Sequence, residues 1–371
     1  MASLTLERHT YSSGGPVLII AEIGTAHGGS LERAKDLVRA ARDAGADSAK
    51  FQMVYADEIL HPETGFVPLP GGSVSLYERF RSLELPVDFY REISLFCSDC
   101  GLSFLCTPFG IRSARELLTL HPPAIKIASP ELNHLPLLRE VSSYGVPLIL
   151  STGVSRLSDI ERAIELTAGV PSRALLHCVT SYPAPETDYN LGTIDSLSRV
   201  FGLPSGVSDH SLDPVLVPAL AASVGAVAIE KHICLSRSDP GLDDPVALPP
   251  GDFARMVVRV REAERDGEKE TVERLSREFG RDRVEATLGT GVKALAPSER
   301  ANYGRTNRSL HYLRAARAGK RISEDDVAIL RTEKALSPGI GPEWMESVLG
   351  RVLARDVDNG AGVSWDDFMA R

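Results

Sequence analysis

Two histidines stand out for the chemistry they can share. His210 ends Ser208-Asp209-His210, and His232 ends Glu230-Lys231-His232. Each follows a short apolar run that reads as a parallel strand, Leu203 to Ser208 and Ala226 to Lys231. If these strands are neighbours, their backbones lie roughly 5 Å apart. Two imidazoles at that spacing can hold one divalent metal and leave its other positions open to substrate. A lone histidine at a strand end more often bonds a loop carbonyl. The pair favours a shared metal.

A second group of residues points to anion binding. In a parallel barrel one parity of each strand faces inward, and active sites lie at the carboxyl ends. That parity brings Glu22, Lys50, Gln52, Thr107, Lys126, Ser151, Ser208 and Glu230 to one mouth, with Ser129, Glu131 and Tyr182 in the turns just after strands. Lysine is rarely buried without a partner. Lys50 and Lys126 therefore need anions, either structural carboxylates or a bound ligand. Beside several hydroxyls, the two lysines read as a cradle for phosphate or carboxylate. A lysine desolvated next to another cation is also a candidate Schiff-base nucleophile, although that use of Lys50 or Lys126 leaves the histidines idle.

The elements that position these residues recur eight times. Apolar runs at 17–23, 47–52, 102–107, 124–128, 147–151, 174–179, 203–208 and 226–231 alternate with amphipathic stretches such as 31–44 and 158–166. Eight strand–helix repeats favour a closed α/β barrel over an open sheet. The turn Gly24-Thr25-Ala26-His27-Gly28-Gly29 also lacks the dinucleotide-binding fingerprint. The long stretch 54–85, with Pro62, Pro68, Pro70, Gly71 and Gly72, reads as a lid over the barrel mouth.

The chain divides into a barrel at 1–265, a charged helix and linker at 266–301, and a compact unit at 302–371 that is small enough to need docking. The 371 residues suit a barrel of roughly 250 residues plus this appendage. A net charge of −9 gives no footprint for nucleic acid or an anionic membrane. No stretch approaches the roughly 20 apolar residues of a membrane span. Five scattered cysteines suit reduced thiols, and a cytoplasmic location is expected. Cys97 and Cys100 form a CxxC without a second pair, which is weak ground for a metal or redox role.

The ordered motifs Ile20-Ala21-Glu22-Ile23-Gly24, Ala49-Lys50-Phe51-Gln52, Cys106-Thr107-Pro108-Phe109, Lys126-Ile127-Ala128-Ser129, Ile149-Leu150-Ser151-Thr152-Gly153, Tyr182-Pro183, Ser208-Asp209-His210, Glu230-Lys231-His232 and Pro240-Gly241-Leu242-Asp243 resemble those of the sialic acid synthase family. That family comprises N-acetylneuraminate synthases with legionaminate, pseudaminate and spore-coat relatives. The segment around Arg308-Ser309-Leu310 resembles its β-rich C-terminal antifreeze-like domain.

The resemblance implies condensation of phosphoenolpyruvate with an aldose, N-acetylmannosamine or a relative, to a 2-keto-3-deoxy nonulosonic acid plus phosphate. It implies a divalent metal, typically manganese, on His210 and His232, polarising the aldehyde. Lys50, Thr107, Lys126, Ser129, Ser151 and Ser208 match phosphoenolpyruvate-binding positions, and Glu22 a group that moves a proton or binds a sugar hydroxyl. Gln52, Glu131, Tyr182 and Asp243 match sugar-side positions, Asp243 being equally suited to capping a loop. Asp209 fits a group that orients a ligand. Arg308 matches a residue reaching the sugar in a partner subunit's site, which implies a domain-swapped homodimer.

Ala26, Gly28, Gly29, Pro130 and Thr180 depart from the family pattern, so the acid-sugar chemistry is a firmer expectation than any one sugar. An atypical aldose in a specialised pathway stays open. So does a sugar-phosphate sensor without catalysis.

Overall fold

A computed structural model describes residues 2–69 and 72–368. Among these, fourteen strands succeed one another along the chain. They are β1 (Ser3–Leu6), β2 (His9–Ser12), β3 (Leu18–Gly24), β4 (Ser48–Met53), β5 (Phe66–Leu69), β6 (Gly72–Ser75), β7 (Ser103–Pro108), β8 (Ile125–Ile127), β9 (Leu148–Ser151), β10 (Arg173–Cys178), β11 (Ser205–Asp209), β12 (Ala228–His232), β13 (Arg308–Tyr312) and β14 (Val327–Arg331). Eight of them, β3, β4 and β7 to β12, form a closed parallel barrel in sequence order, with β12 returning to β3. These are the eight expected runs, shifted by a residue or two.

Parity divides the barrel interior into layers. Leu18 and Ile20 precede Glu22 on β3, Leu105 precedes Thr107, Ala124 precedes Lys126, Ile149 precedes Ser151, and Ala174 and Leu176 precede Cys178. The apolar members of these rows form one buried cluster with Ala228. The polar members lie one layer higher, at the carboxyl ends, where the loops can be built around them.

The antiparallel hairpin β1–β2 seals the opposite end and was not anticipated. Leu4, Leu6 and Tyr11 join the interior cluster from below. Each fully buried leucine contributes about 1.5–3 kcal/mol, so an aspartate at Leu4 would open this plug.

The charged stretch differs from expectation. The helix Pro250–Phe279 continues through residue 265, where a domain boundary was expected, and changes direction at Gly267, whose φ of 74° is non-helical. Phe253, Met256, Val257 and Val260 repeat at helical spacing and are buried, as are Thr271 and Leu275 farther on. A second helix, Arg281–Leu288, buries Val284. Residues 266–288 are therefore packed helix with charges on the solvent side, and only the segment that follows resembles a linker.

The described residues of the stretch 54–85 fold into regular elements. It carries the helix Ala56–Ile59, the hairpin β5–β6 and the helix Leu76–Arg81, and Val54, Ile59, Leu60, Leu76, Leu83 and Phe109 pack together. Pro70 and Gly71 lie outside the described residues. Cys97 is buried in the helix Val87–Asp99, and Cys100 sits at its C-terminal cap.

The C-terminal unit has its own apolar cluster, including Leu310, Tyr312, Ile329, Val348 and Leu353, around the antiparallel pair β13–β14. It docks on its own barrel. Asn133 donates to the Arg308 carbonyl at 2.8 Å and accepts from the Arg308 amide at 3.0 Å. Ahead of it, the buried Glu299 carboxylate accepts the amides of Val154 and Thr180 at 2.7 Å each, tying the connecting segment to two loops at the barrel mouth. No helix among the described residues is long and apolar enough to cross a membrane.

Candidate active site

Strand register brings the chemistry together. Ser208 pairs with Glu230, His232 with Glu22, Glu22 with Lys50, and Gln52 with Thr107. One cavity at the carboxyl ends is lined by Glu22, Lys50, Gln52, Thr107, Lys126, Ser129, Ser151, Tyr182, Ser208, His210 and His232. Every one of these was a predicted site residue. Cys178, Thr180 and Glu230 line it too.

The anion cradle balances its own charge. Lys50 Nζ lies 2.7 Å from Glu22 Oε2 and 3.6 Å from Glu230 Oε1, and donates to Thr107 Oγ1 at 3.3 Å. Lys126 Nζ donates to Ser151 Oγ at 2.6 Å and to the Ile127 carbonyl at 3.0 Å, and lies 3.9 Å from Glu230 Oε2. Gln52 donates to Glu22 Oε1 at 2.6 Å. Burial opposes the charge on Lys50, but Glu22 and then Glu230 outweigh it and hold the amine above its ordinary pKa. At Lys126 burial wins over Glu230, and the pKa falls. Two cations and two carboxylates sum to zero. A ligand carrying both a phosphate and a carboxylate, with about three negative charges, would require further positive charge here.

The histidines are placed to supply a seat for it. Their ring centroids are 5.6 Å apart. His210 Nδ1 lies 2.9 Å from the Val179 carbonyl, which can only accept, so Nδ1 carries the proton and Nε2 keeps the free lone pair. The Tyr182 ring stacks on His210 at 4.2 Å. At His232 burial lowers the pKa, opposed by Asp243 and Glu22, which favours the neutral form that binds metals. At His210 burial also disfavours the cation, but negative charge on Cys178, whose Sγ lies 3.9 Å from Nδ1, outweighs it and raises the pKa to about 9, so Nε2 offers its lone pair to a metal only once its proton is given up. Among the described residues, no three His, Cys, Asp or Glu side chains converge on one point. The donor set fits an open divalent site with two protein imidazoles, completed by water and substrate oxygens.

Behind the histidines, Asp209 and Lys231 have the opposite parity. Lys231 Nζ meets Asp209 Oδ2 at 2.6 Å, both side chains being fully buried outside the barrel wall. This pair ties together the two strands that carry the histidines.

A second, outer chamber opens from the cavity past Gln52, Thr180 and Tyr182. Its walls include Phe80 and Leu83 beyond the β5–β6 hairpin, Leu242 and Asp243 from the loop after β12, and Thr306, Arg331 and Glu333 from the C-terminal region. Asp243 thus faces the expected sugar side, with Oδ2 3.9 Å from His232.

Two predicted sugar ligands lie elsewhere. The turn Ser129–Glu131 points Glu131 away from both chambers, fully buried, where it accepts from Arg308 Nη2 at 2.9 Å. Arg308 itself donates to the Phe109 and Glu58 carbonyls at 2.7 and 2.5 Å. Its guanidinium is consumed by its own chain, where the expectation had it reaching a partner's sugar. The physical reason is Pro130, which starts a tight 3-10 turn and puts Glu131 on the outer side of the loop.

The family model for NeuB matches residues 37–271, and the SAF domain model matches 307–369. The chain belongs to the NeuB family. Its full length is 34% identical to the spore coat polysaccharide biosynthesis protein SpsE of Bacillus subtilis, covering 98% of that protein. The crystal structure of this SpsE superposes with a TM-score of 0.83 at 33% identity over 100% of both chains. The N,N'-diacetyllegionaminic acid synthase of Legionella pneumophila is 31% identical over 95% of this chain and 94% of its own.

Within this NeuB family member, sequence reasoning had noted Glu230 at the mouth without assigning it a role. It missed Arg331, Glu333, Phe80 and Leu83 as chamber residues. Glu230 obeys the strand parity that found its neighbours. The other four come from loops and the second domain, where no period marks them.

Proposed function

We propose that this protein is a metal-dependent synthase that joins phosphoenolpyruvate to an aldose, forming a nonulosonic-type 2-keto-3-deoxy acid and phosphate. The observation that carries this reading is the continuity of a charge-balanced lysine cradle, two facing imidazoles and a partly apolar outer chamber.

Lys50, Lys126, Thr107, Ser129, Ser151 and Ser208 hold the phosphate and carboxylate, taking over from the internal ion pairs. That grip fixes C3 of phosphoenolpyruvate toward the outer chamber, where Gln52, Tyr182 and Asp243 orient the aldose and bring the reacting carbons into contact. His210 and His232 would hold the divalent ion, manganese by family resemblance, which supplies Lewis-acid polarisation of the aldehyde oxygen. C3 then attacks the aldehyde carbon, water adds at C2, and the tetrahedral adduct expels phosphate. Glu22, within reach of Lys50 and Gln52, takes the proton released by that water and returns it to the former aldehyde oxygen, which ends as a hydroxyl. Lys126 is poorly suited to Schiff-base chemistry, because its amine already donates to Ser151 and a carbonyl.

The test is phosphate release from phosphoenolpyruvate with manganese against a panel of N-acylated and neutral aldoses. Release that requires an aldose and stops in chelator is expected. Turnover that persists in chelator, or a pyruvyl adduct trapped by borohydride, would replace this reading with the aldolase.

A further inference from the structure

One loop, the stretch 179–189 that follows β10, grips His210 at four points. Val179 and Tyr182 hold its ring, as described above. The other two contacts are to its backbone: the His210 carbonyl accepts the Ala184 amide at 3.1 Å, and the His210 amide donates to Tyr189 Oη at 2.6 Å. His232 is held differently, by strand pairing to Glu22 and by the Leu248 amide on its carbonyl.

Tyr189 makes its contact from outside the cavity. It is fully buried and belongs to the apolar packing around the barrel. Its own position is anchored twice. The Tyr189 carbonyl accepts from His177 Nε2, and burial lowers the pKa of that imidazole to about 3, so the ring is neutral and spends its one hydrogen on this bond. Just beyond, the Leu191 and Gly192 amides donate to the Thr287 and Leu288 carbonyls at 3.0 and 2.9 Å, tying the loop to the helix Arg281–Leu288. The Tyr189 hydroxyl also faces the Asp209 carboxylate, which holds Lys231 at 2.6 Å. Asp209 precedes His210 and Lys231 precedes His232, so this row of groups reaches the peptide ahead of each histidine.

We infer that Tyr189 is a positioning residue for the proposed metal seat, its hydroxyl fixing the His210 backbone and with it the direction in which the ring meets His232. The inference rests on the reading of these two histidines as the ligands of a divalent ion. Without the hydroxyl, the His210 amide is left buried with no acceptor, and the strand end must shift to find one.

The experiment titrates Mn2+ into the substrate-free full chain and follows the free ion by electron paramagnetic resonance, in the wild type and in Tyr189→Phe, His210→Ala and Tyr312→Phe. Tyr189→Phe removes one oxygen and keeps the ring packing. Because loss of a group that orients a ligand typically weakens metal binding by about ten- to a hundredfold, its Mn2+ affinity should fall at least tenfold. Tyr312→Phe deletes the buried hydroxyl that donates to Asp367 in the C-terminal domain, so it should lower Tm and leave Mn2+ affinity unchanged. An affinity within twofold of the wild type in Tyr189→Phe, or an equal fall in Tyr312→Phe, overturns the assignment while the metal seat stands. A wild type that binds no Mn2+, or His210→Ala that binds it equally well, overturns the metal seat and the inference with it.

Discussion

The inner cavity and the outer chamber touch at Tyr182 and Thr180 but are built on different principles. The inner one is walled mainly by the carboxyl ends of barrel strands, where parity fixes Glu22, Lys50, Gln52, Thr107, Lys126, Ser151, Ser208 and Glu230 and most of them bond one another. The outer one borrows its walls from six loops that follow barrel strands and from the C-terminal region, and offers apolar surface beside the Arg331 guanidinium. Rigid strands suit a reaction centre that tolerates little displacement. Loops and an appended domain can change acceptor preference without disturbing that centre. On the proposed reaction, the difference teaches that chemistry and selectivity would occupy separable parts of this molecule.

The largest effect should come from breaking the inner region at its proposed metal seat. His232→Ala is expected to lower kcat by about a thousandfold, the cost of removing a principal electrostatic stabiliser, with Tm nearly unchanged. Steady-state phosphate release and thermal melts check both. A loss below tenfold would detach the histidines from the reaction.

Lys50→Met is next. It strands Glu22 and Glu230 as buried charges, at about 3–5 kcal/mol, so Tm should fall along with phosphoenolpyruvate affinity. Adding Glu22→Gln should restore much of the Tm and none of the affinity. Restored affinity would mean that Lys50 serves the fold alone.

Glu299→Gln sharpens the boundary between the regions. The carboxylate accepts three amides, those of Val154, Thr180 and Ala296. An amide nitrogen turned toward any of them leaves donor facing donor, at about 1–3 kcal/mol. Because Thr180 lines both chambers, kcat/KM for the aldose should drop about tenfold, more than the change in KM for phosphoenolpyruvate. Equal changes in both would erase the distinction drawn above.

The smallest effect lies farthest from the reaction. Asp326 accepts from Ser323 and Arg314 and bonds Lys320 in the C-terminal domain. Burial pushes its pKa up, but Lys320, Ser323 and Arg314 outweigh burial and hold it below the ordinary 3.8. A lowered folded-state pKa stabilises above the unfolded value and is lost as pH falls through the folded one. Asp326→Asn should therefore cost about 1 kcal/mol near neutral pH, shrinking in strong acid. Denaturant melts at neutral and acid pH check the sign.

Much of the inner region was legible in the sequence because fully buried parallel strands read as apolar runs, and because a polar residue inside such a run must face a site or a partner. The lysines, serines and histidines all broke otherwise apolar rows. Glu131 was misplaced because its direction depends on a 3-10 turn, which has no side-chain period. Arg331 was invisible because it ends an ordinary strand in another domain, and its place in the outer chamber appears only once β14 meets Phe109. The hairpin β1–β2 was too short and too polar to stand out. Between residues 266 and 288 the abundance of charge hid a helical face as thin as Thr271, Leu275 and Val284.

The internal neutrality of the lysine cradle governs which anions the cavity admits. An anion arriving alone must compete with Glu22 and Glu230 for both ammonium groups, so free phosphate and sulfate gain little by entering. A ligand that presents two anionic groups at once, beside a divalent ion on His210 and His232 as proposed, would gain enough to displace those carboxylates. On the proposed reaction the same carboxylates are ready to reclaim the lysines once phosphate is cut loose, so the site would resist clogging by its own by-product.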